Sequence, residues 1–174
     1  MKKVLYLLVV AIVAMVTFVG CGGKDDAPDF RDDYVGTYEG TWTEEYRYYY
    51  GEEDGWYSDS DEDFPFTVVV KKNGSNSNAL DFYTINSDNT EWRWFTATQL
   101  QKVSNGLAFK IENQSLSDEE YPEEQLKGLG TYSIDNKIFD GGFSTNTVKF
   151  GLQYIYPDDE EGEYEKYRFE GSKK

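Results

Sequence analysis

The sequence contains no histidine, and Cys21 is the single cysteine among its 174 residues. The lack of histidine excludes histidine-based catalytic triads and histidine metal sites, and it removes the commonest general base. One cysteine cannot form an internal disulfide, so the core must hold the fold without a covalent cross-link. The chain also lacks a G-x-S-x-G nucleophile elbow and a glycine-rich phosphate loop, so we predict no cofactor.

Basic residues are scarce. The chain has 17 lysines and arginines against 33 aspartates and glutamates, which gives a formal net charge of −16. A field of this sign repels phosphate backbones, so nucleic acid is not an expected partner, and neither are bare anionic headgroups.

The only long apolar run lies at the start of the chain. Lys2 and Lys3 precede an apolar stretch over residues 4–18, and the small Gly20 follows it. A positive start, a short apolar run and a small residue before the cut are typical of a secretory signal that is removed. The run is too short to favour a permanent membrane helix.

Residues 18–21, Phe-Val-Gly-Cys, resemble a bacterial lipobox, with Phe18 where that family prefers leucine. The resemblance implies that the Cys21 Sγ carries a diacylglyceryl group, that cleavage occurs before Cys21, and that the new amine is acylated, for example with palmitate. Two or three acyl chains give stable anchoring, so the membrane is the predicted partner. The alternative for a lone cysteine is a buried free thiol.

Residues 22–26 look like the surface-export signal of certain gram-negative lipoproteins, although an ordinary solvated tether is the alternative. The resemblance implies an outer-membrane protein that faces the outside. Loss of Lys2 and Lys3 takes the formal net charge of the mature chain to −18. The predicted organisation is a signal peptide over residues 1–20, a lipidated tether over 21–33 and one domain over 34–174.

Residues 34–45 form the strongest predicted strand, because their side chains alternate in character. One face carries aromatic residues and glycines, and the other carries mostly hydroxyl and carboxylate groups. The first set is Tyr34, Gly36, Tyr38, Gly40 and Trp42, and the second is Val35, Thr37, Glu39, Thr41, Thr43 and Glu45. Such a strand has one face in a core and one in water. The glycines on the buried face predict a bend or a close backbone approach, as at a barrel corner.

Many further short strands follow, separated by turn residues. They are predicted over residues 64–71, 79–85, 90–96, 98–103, 107–112, 126–134, 137–139, 147–156 and 164–170. Acidic runs over 51–63 and 157–163 are predicted loops, and Ser117 with Glu120 fits a capping box. This pattern predicts an all-β fold, either an antiparallel up-and-down barrel of about eight strands or a sandwich.

The triplet Gly40, Thr41 and Trp42 resembles the G-x-W element of lipocalins and other calycins. That resemblance favours the barrel over the sandwich. It also implies that Arg168, on the last strand, packs across Trp42 and closes the barrel.

An eight-stranded barrel holds one small ligand or is filled by side chains. The first function hypothesis is therefore a non-catalytic binding barrel for a small ligand, a glycan or a protein. Candidate contacts are Trp56 and Tyr57, an aromatic pair in an acidic run, with Trp92 and Trp94 as a second pair that core packing would also explain. The alternatives are a structural lipoprotein with a filled barrel and a carboxylate-dependent glycan hydrolase.

The acidic run over residues 59–63 offers oxygen atoms at alternate positions, which would suit calcium. It departs from an EF-hand loop, because Phe64 stands at the position of the required glycine and Val70 at that of the closing glutamate. A bare acidic loop is the alternative, and no metal site is predicted.

Replacing Cys21 with serine is expected to release the protein from the membrane fraction, because the acyl chains then have no thiol to attach to. Membrane fractionation and palmitate labelling measure this, with the unaltered chain as the reference. Unchanged membrane fractionation of the serine variant would contradict the lipid anchor.

Overall fold

The computed structural model describes residues 28–116, 124–157 and 161–174, without the side chains of Asp61 and Glu62. The predicted signal peptide, Cys21, most of the tether and the capping box lie outside these ranges. The chain divides between Asp32 and Asp33 into two units, and the strands belong to the second. Within the described ranges, no helix has the length and apolar character needed to cross a membrane.

The regular structure of the described residues is one short 3₁₀ helix, Phe30–Asp33, followed by twelve strands. The strands are β1 (Gly36–Tyr49), β2 (Trp56–Lys72), β3 (Leu80–Ile85), β4 (Glu91–Val103), β5 (Gly106–Lys110), β6 (Gln114–Ser115), β7 (Gln125–Gly128), β8 (Tyr132–Ile134), β9 (Lys137–Phe139), β10 (Gly141–Ser144), β11 (Thr147–Ile155) and β12 (Tyr164–Lys173).

Eight strands close into an antiparallel barrel. Strands β1 to β5 pair in sequence, β5 pairs with β10, β10 with β11, β11 with β12, and β12 returns to β1. Each barrel strand pairs with the barrel strand that follows it along the chain, and the last pairs with the first, which is the up-and-down order. The predicted barrel is confirmed, and the alternative of a sandwich is not.

The remaining strands, β6 to β9, form an insertion between the fifth and sixth barrel strands. Strand β7 pairs with β11 from Leu152 onward, beyond the last residue that pairs with β10, and β6 pairs with β7. The Gln114 side chain then joins β6 to β4, since its amide accepts from the Thr96 nitrogen at 2.7 Å and donates to the Thr96 oxygen at 3.0 Å. The insertion thus continues the barrel wall past the end of β10.

The buried carboxylate of Asp140 ties the insertion to the barrel. Its oxygens accept from the Ile111 nitrogen at 2.8 Å and from the Gly130 nitrogen at 2.6 Å. The predicted single strand over residues 126–134 is wrong, because the chain turns between β7 and β8 with Gly130 at a φ of 62°. The Gly130 N–H bonds to the Asp140 carboxylate and therefore cannot bond to a neighbouring strand, which explains why the strand breaks at this point.

Trp42 lies in the core, as predicted, and Tyr38 lies two residues before it on the same buried face. The Trp42 ring packs against Phe66 at 5.1 Å, Trp94 at 4.7 Å and Tyr167 at 4.7 Å between centroids. These partners come from β2, β4 and β12, so the indole packs against three other strands of the barrel. Gly40 also fits its prediction, since a Cβ there would lie 2.0 Å from the Glu170 carbonyl oxygen.

Aromatic rings fill the rest of the described interior. Phe82 stacks on Phe95 at 4.5 Å, and Phe150 contacts both of them from the opposite wall at 5.4 and 5.1 Å. Phe109 and Phe169 complete the set, and each of the five rings is at most 1% exposed. Among the described residues, the barrel interior is therefore a packed core.

Replacing Trp42 with alanine is expected to lower the free energy of unfolding by about 3–5 kcal/mol, because it empties a site packed on three sides. Chemical denaturation measures the change. Trp56→Ala is the matched control, since Trp56 is 43% exposed and its loss should cost about 0.5 kcal/mol or less. Equal effects of the two substitutions would contradict the core role of Trp42.

Candidate functional site

The hairpin of β1 and β2 projects beyond the barrel. Its two strands pair from Glu44 to Tyr49 on β1, whereas β3 pairs with β2 only over Val68–Lys72. The predicted acidic loop over residues 51–63 is wrong in its second half, because β2 begins at Trp56. The side chains of β2 over residues 56–60 are exposed on both faces, so acidic side chains are tolerated within a strand there.

Tyrosines line the inward face of the projecting end, and we name five of them the tyrosine cluster. They are Tyr46 and Tyr48 on β1, Tyr57 on β2, Tyr154 on β11 and Tyr156 directly after it. Ring centroids lie 5.5 Å apart for Tyr46 and Tyr48, and 6.2 Å apart for the stacked Tyr154 and Tyr156. Tyr57 approaches Tyr46 at 6.0 Å.

Two glutamates lie beside these rings. Tyr156 and Tyr48 donate their hydroxyl groups to Glu165 Oε2, the second at 3.2 Å. Tyr167 donates to Glu44 Oε1 at 3.0 Å. Glu44 and Glu165 are diagonal neighbours on β1 and β12, because Glu44 pairs with Tyr167 and Glu165 pairs with Tyr46.

Burial and proximity shift the protonation equilibria of this group. Loss of solvent raises the pKa of Glu165, and the negative charge of Glu44 raises it further. Burial also raises the pKa of Tyr154 to about 12. The pKa of Tyr156 is raised by burial and by its bond to Glu165, so this phenol stays protonated and remains a donor.

The structure places the predicted contact residues Trp56 and Tyr57 on opposite faces of the hairpin, both more than two-fifths exposed. Trp56 lies on the outer face, with the Arg47 guanidinium 4.1 Å from its ring centre. Tyr57 faces the tyrosine cluster and donates to Asp59 Oδ2 at 2.8 Å. The two residues therefore belong to separate surfaces.

Trp92 and Trp94 also lie in different environments. Phe82 pairs with Phe95 and Tyr83 with Arg93, so Trp94 is the extra residue of a β-bulge. The bulge turns Trp94 into the core, where its Nε1 donates to the Tyr154 hydroxyl at 2.8 Å. Trp94 is thus not available to an external ligand, whereas Trp92 is half-buried.

Arg168 does not pack across Trp42, contrary to the expectation from the calycin resemblance. It alternates with Tyr167 and Phe169, which both point inward, so it lies on the outer face and bonds to Glu45 at 3.1 Å. Tyr167 takes the position against Trp42. No bulge interrupts the β1–β12 pairing to reverse this alternation.

The calcium hypothesis for residues 59–63 stays a hypothesis. The side chains of Asp61 and Glu62 are outside the described set, and the Asp59 carboxylate accepts from the Tyr57 hydroxyl and the Ser60 nitrogen. Among the side chains that the structure does describe, no group of three or more histidine, cysteine, aspartate or glutamate residues could hold a metal ion.

Glu44, Glu165, Tyr154 and Tyr156 were not among the predicted contact residues, because only the barrel register brings β1, β11 and β12 together. Comparisons with known proteins add no assignment, since no family model matches the chain and neither a curated protein nor a solved structure is significantly similar to it.

Replacing Glu165 with glutamine is expected to stabilise the protein at pH 8 and to have little effect below about pH 4.5. A carboxyl whose pKa is raised on folding favours the folded state only while it is protonated, so its contribution is lost as pH rises. Denaturation curves at both pH values measure the difference.

Glu45→Gln is the matched control with the opposite sign. Its bond to Arg168 lowers the pKa of Glu45, so this carboxylate stabilises the fold above about pH 4.5 and loses that effect in acid. The control should therefore be destabilised at pH 8. The same sign of change in both variants would contradict the desolvated environment of Glu165.

Proposed function

We propose that this protein is a lipid-anchored outer-membrane protein that binds a neutral or cationic glycan, without catalysis, at the tyrosine cluster on the projecting end. The observation that carries the proposal is the division of the aromatic residues. The phenylalanines and Trp42 fill the barrel interior, while Tyr57 and Tyr50 stay exposed beside it.

The chemistry of the projecting end suits a carbohydrate. Aromatic rings stack on the C–H faces of sugar rings, and the tyrosine hydroxyls and carboxylates provide donors and acceptors for sugar hydroxyl groups. The net charge of −18 after loss of the signal peptide disfavours an anionic glycan at this acidic end. A binding site on a strand extension that adjoins the packed core also fits a module held at a membrane by its N-terminus.

The carboxyl pair supports binding more than hydrolysis. Retaining and inverting glycosidases hold their two carboxyl groups about 5–10 Å apart, with the sugar between them. Glu44 and Glu165 are diagonal neighbours on adjacent strands, and their oxygens accept from the hydroxyl groups of Tyr167, Tyr48 and Tyr156. These internal bonds favour a structural role for the two carboxyl groups over catalysis.

A structural lipoprotein with a filled barrel and no ligand is the second candidate. The packed interior favours it, because that interior leaves no room for the small apolar ligand that a carrier would hold. The two candidates differ in whether any glycan binds.

A glycan array probed with the purified full-length protein in detergent, followed by calorimetric titration, tests the proposal. Tyr57→Ala should weaken binding about tenfold, which corresponds to the loss of about 1.4 kcal/mol of stacking. The control is Ile138→Ala, an exposed apolar residue on β9, which should bind like the unaltered protein. Equal binding by both variants, or no glycan bound by the unaltered protein, would contradict the proposal.

A further inference from the structure

A basic groove lies on the outer face of β7, β11 and β12, on the side of the wall opposite the tyrosine cluster. Its volume is about 490 Å³. The lining residues are Lys127, Gly128, Leu129, Thr131, Gln153, Lys166 and Arg168. Three of the seven are cations, in a chain with about twice as many acidic as basic residues.

The register of the sheet brings the polar groups into one row. Gln153 pairs with Lys127 on one side and with Lys166 on the other. Because strands are about 4.8 Å apart, the two lysines start about 10 Å from each other, with the amide of Gln153 between them. Arg168 lies beside this row and pairs with Gly151, which has no side chain, and Leu129 covers the space above that glycine.

The positive charges of the groove are only partly neutralised. In the described part of the chain, no ion pair joins a carboxylate to Lys127 or Lys166, although Glu45 is the cross-strand partner of Lys166. The Lys166 ammonium lies 3.5 Å from the Tyr164 ring centre. Arg168 uses one nitrogen on Glu45 at 3.1 Å. A guanidinium has five N–H donors, so this contact leaves others for a ligand.

We propose that this groove binds a compact oxyanion, a sulfate or phosphate monoester on a small molecule. Lys127 and Lys166 approach the anion from its two sides, the Arg168 guanidinium offers a planar pair of donors, and the Gln153 amide and the Thr131 hydroxyl can donate to the remaining oxygens. The negative field of the rest of the protein repels long polyanions, which restricts the ligand to one small enough to sit among these cations. The groove is separate from the glycan site proposed above and does not depend on it.

Calorimetric titration of the full-length protein in detergent with glucose 6-phosphate, glucose 6-sulfate and glucose tests the groove. The two esters should bind saturably and glucose should not. Lys127→Gln combined with Lys166→Gln should weaken ester binding at least about tenfold. Lys71→Gln combined with Lys149→Gln removes the same charge from two exposed lysines paired with surface glutamates, and it should change binding less than about twofold.

Vesicles of phosphatidylcholine with and without phosphatidic acid identify the source of the anion. Binding to phosphatidic acid that the Lys127 and Lys166 double variant loses would assign a lipid-borne phosphate to the same groove. The proposal is overturned if neither ester nor phosphatidic acid binds saturably at about 10 mM, or if both double variants lose binding equally, since the effect would then come from net charge alone.

Discussion

The closure of the barrel depends on how closely β12 approaches β1 at Gly40. The absence of a side chain there lets the Glu170 carbonyl and Gly171 come within a distance that any Cβ would forbid. The close approach brings Tyr167 and Phe169 into the interior, where Tyr167 covers Trp42. Two residues of β1 thus contribute to the contact with β12. Gly40 permits the close backbone approach, and the Trp42 ring packs against Tyr167.

The packed interior decides where binding can take place. Rings from β1, β2, β3, β4, β11 and β12 meet at centroid distances typical of aromatic packing, so a ligand must bind beyond this packed interior. Two contrasting surfaces are available there. The inward face of the projecting hairpin combines phenols with carboxyl groups, whereas the outer face of β7, β11 and β12 combines lysines with an arginine. Because successive residues of a strand point to opposite faces, the phenols and carboxyl groups lie on one face of the sheet and the basic side chains lie on the other.

The all-β fold was predictable because period-two alternation and frequent turn residues are local signals, whereas the choice of a barrel over a sandwich came from the resemblance of residues 40–42 to the G-x-W element. Three of the errors in the predicted strands arose where the structure overrides the local signal, and β10 was not predicted at all. The acidic residues before Phe64 continue β2, because pairing with β1 outweighs their charge on an exposed ribbon. The strands predicted over residues 90–96 and 98–103 form one strand, β4. A bulge around Gln99, whose φ is 50°, lies between the two predicted segments. The predicted strand over 126–134 breaks because the Gly130 nitrogen bonds to Asp140.

The sequence by itself determined the strand pattern, the buried face that carries Tyr38 and Trp42, and the acidic character of the surface, because each follows from residue order along one strand. Only the tertiary structure decided that Tyr167, and not Arg168, covers Trp42. It also decided that Trp94 turns into the core, that Glu44 is the diagonal neighbour of Glu165, and that Lys127 and Lys166 flank Gln153. The physical reason is register. Pairing between strands distant in the chain sets which side chains are neighbours, and the alternation within a single strand carries no information about its partner.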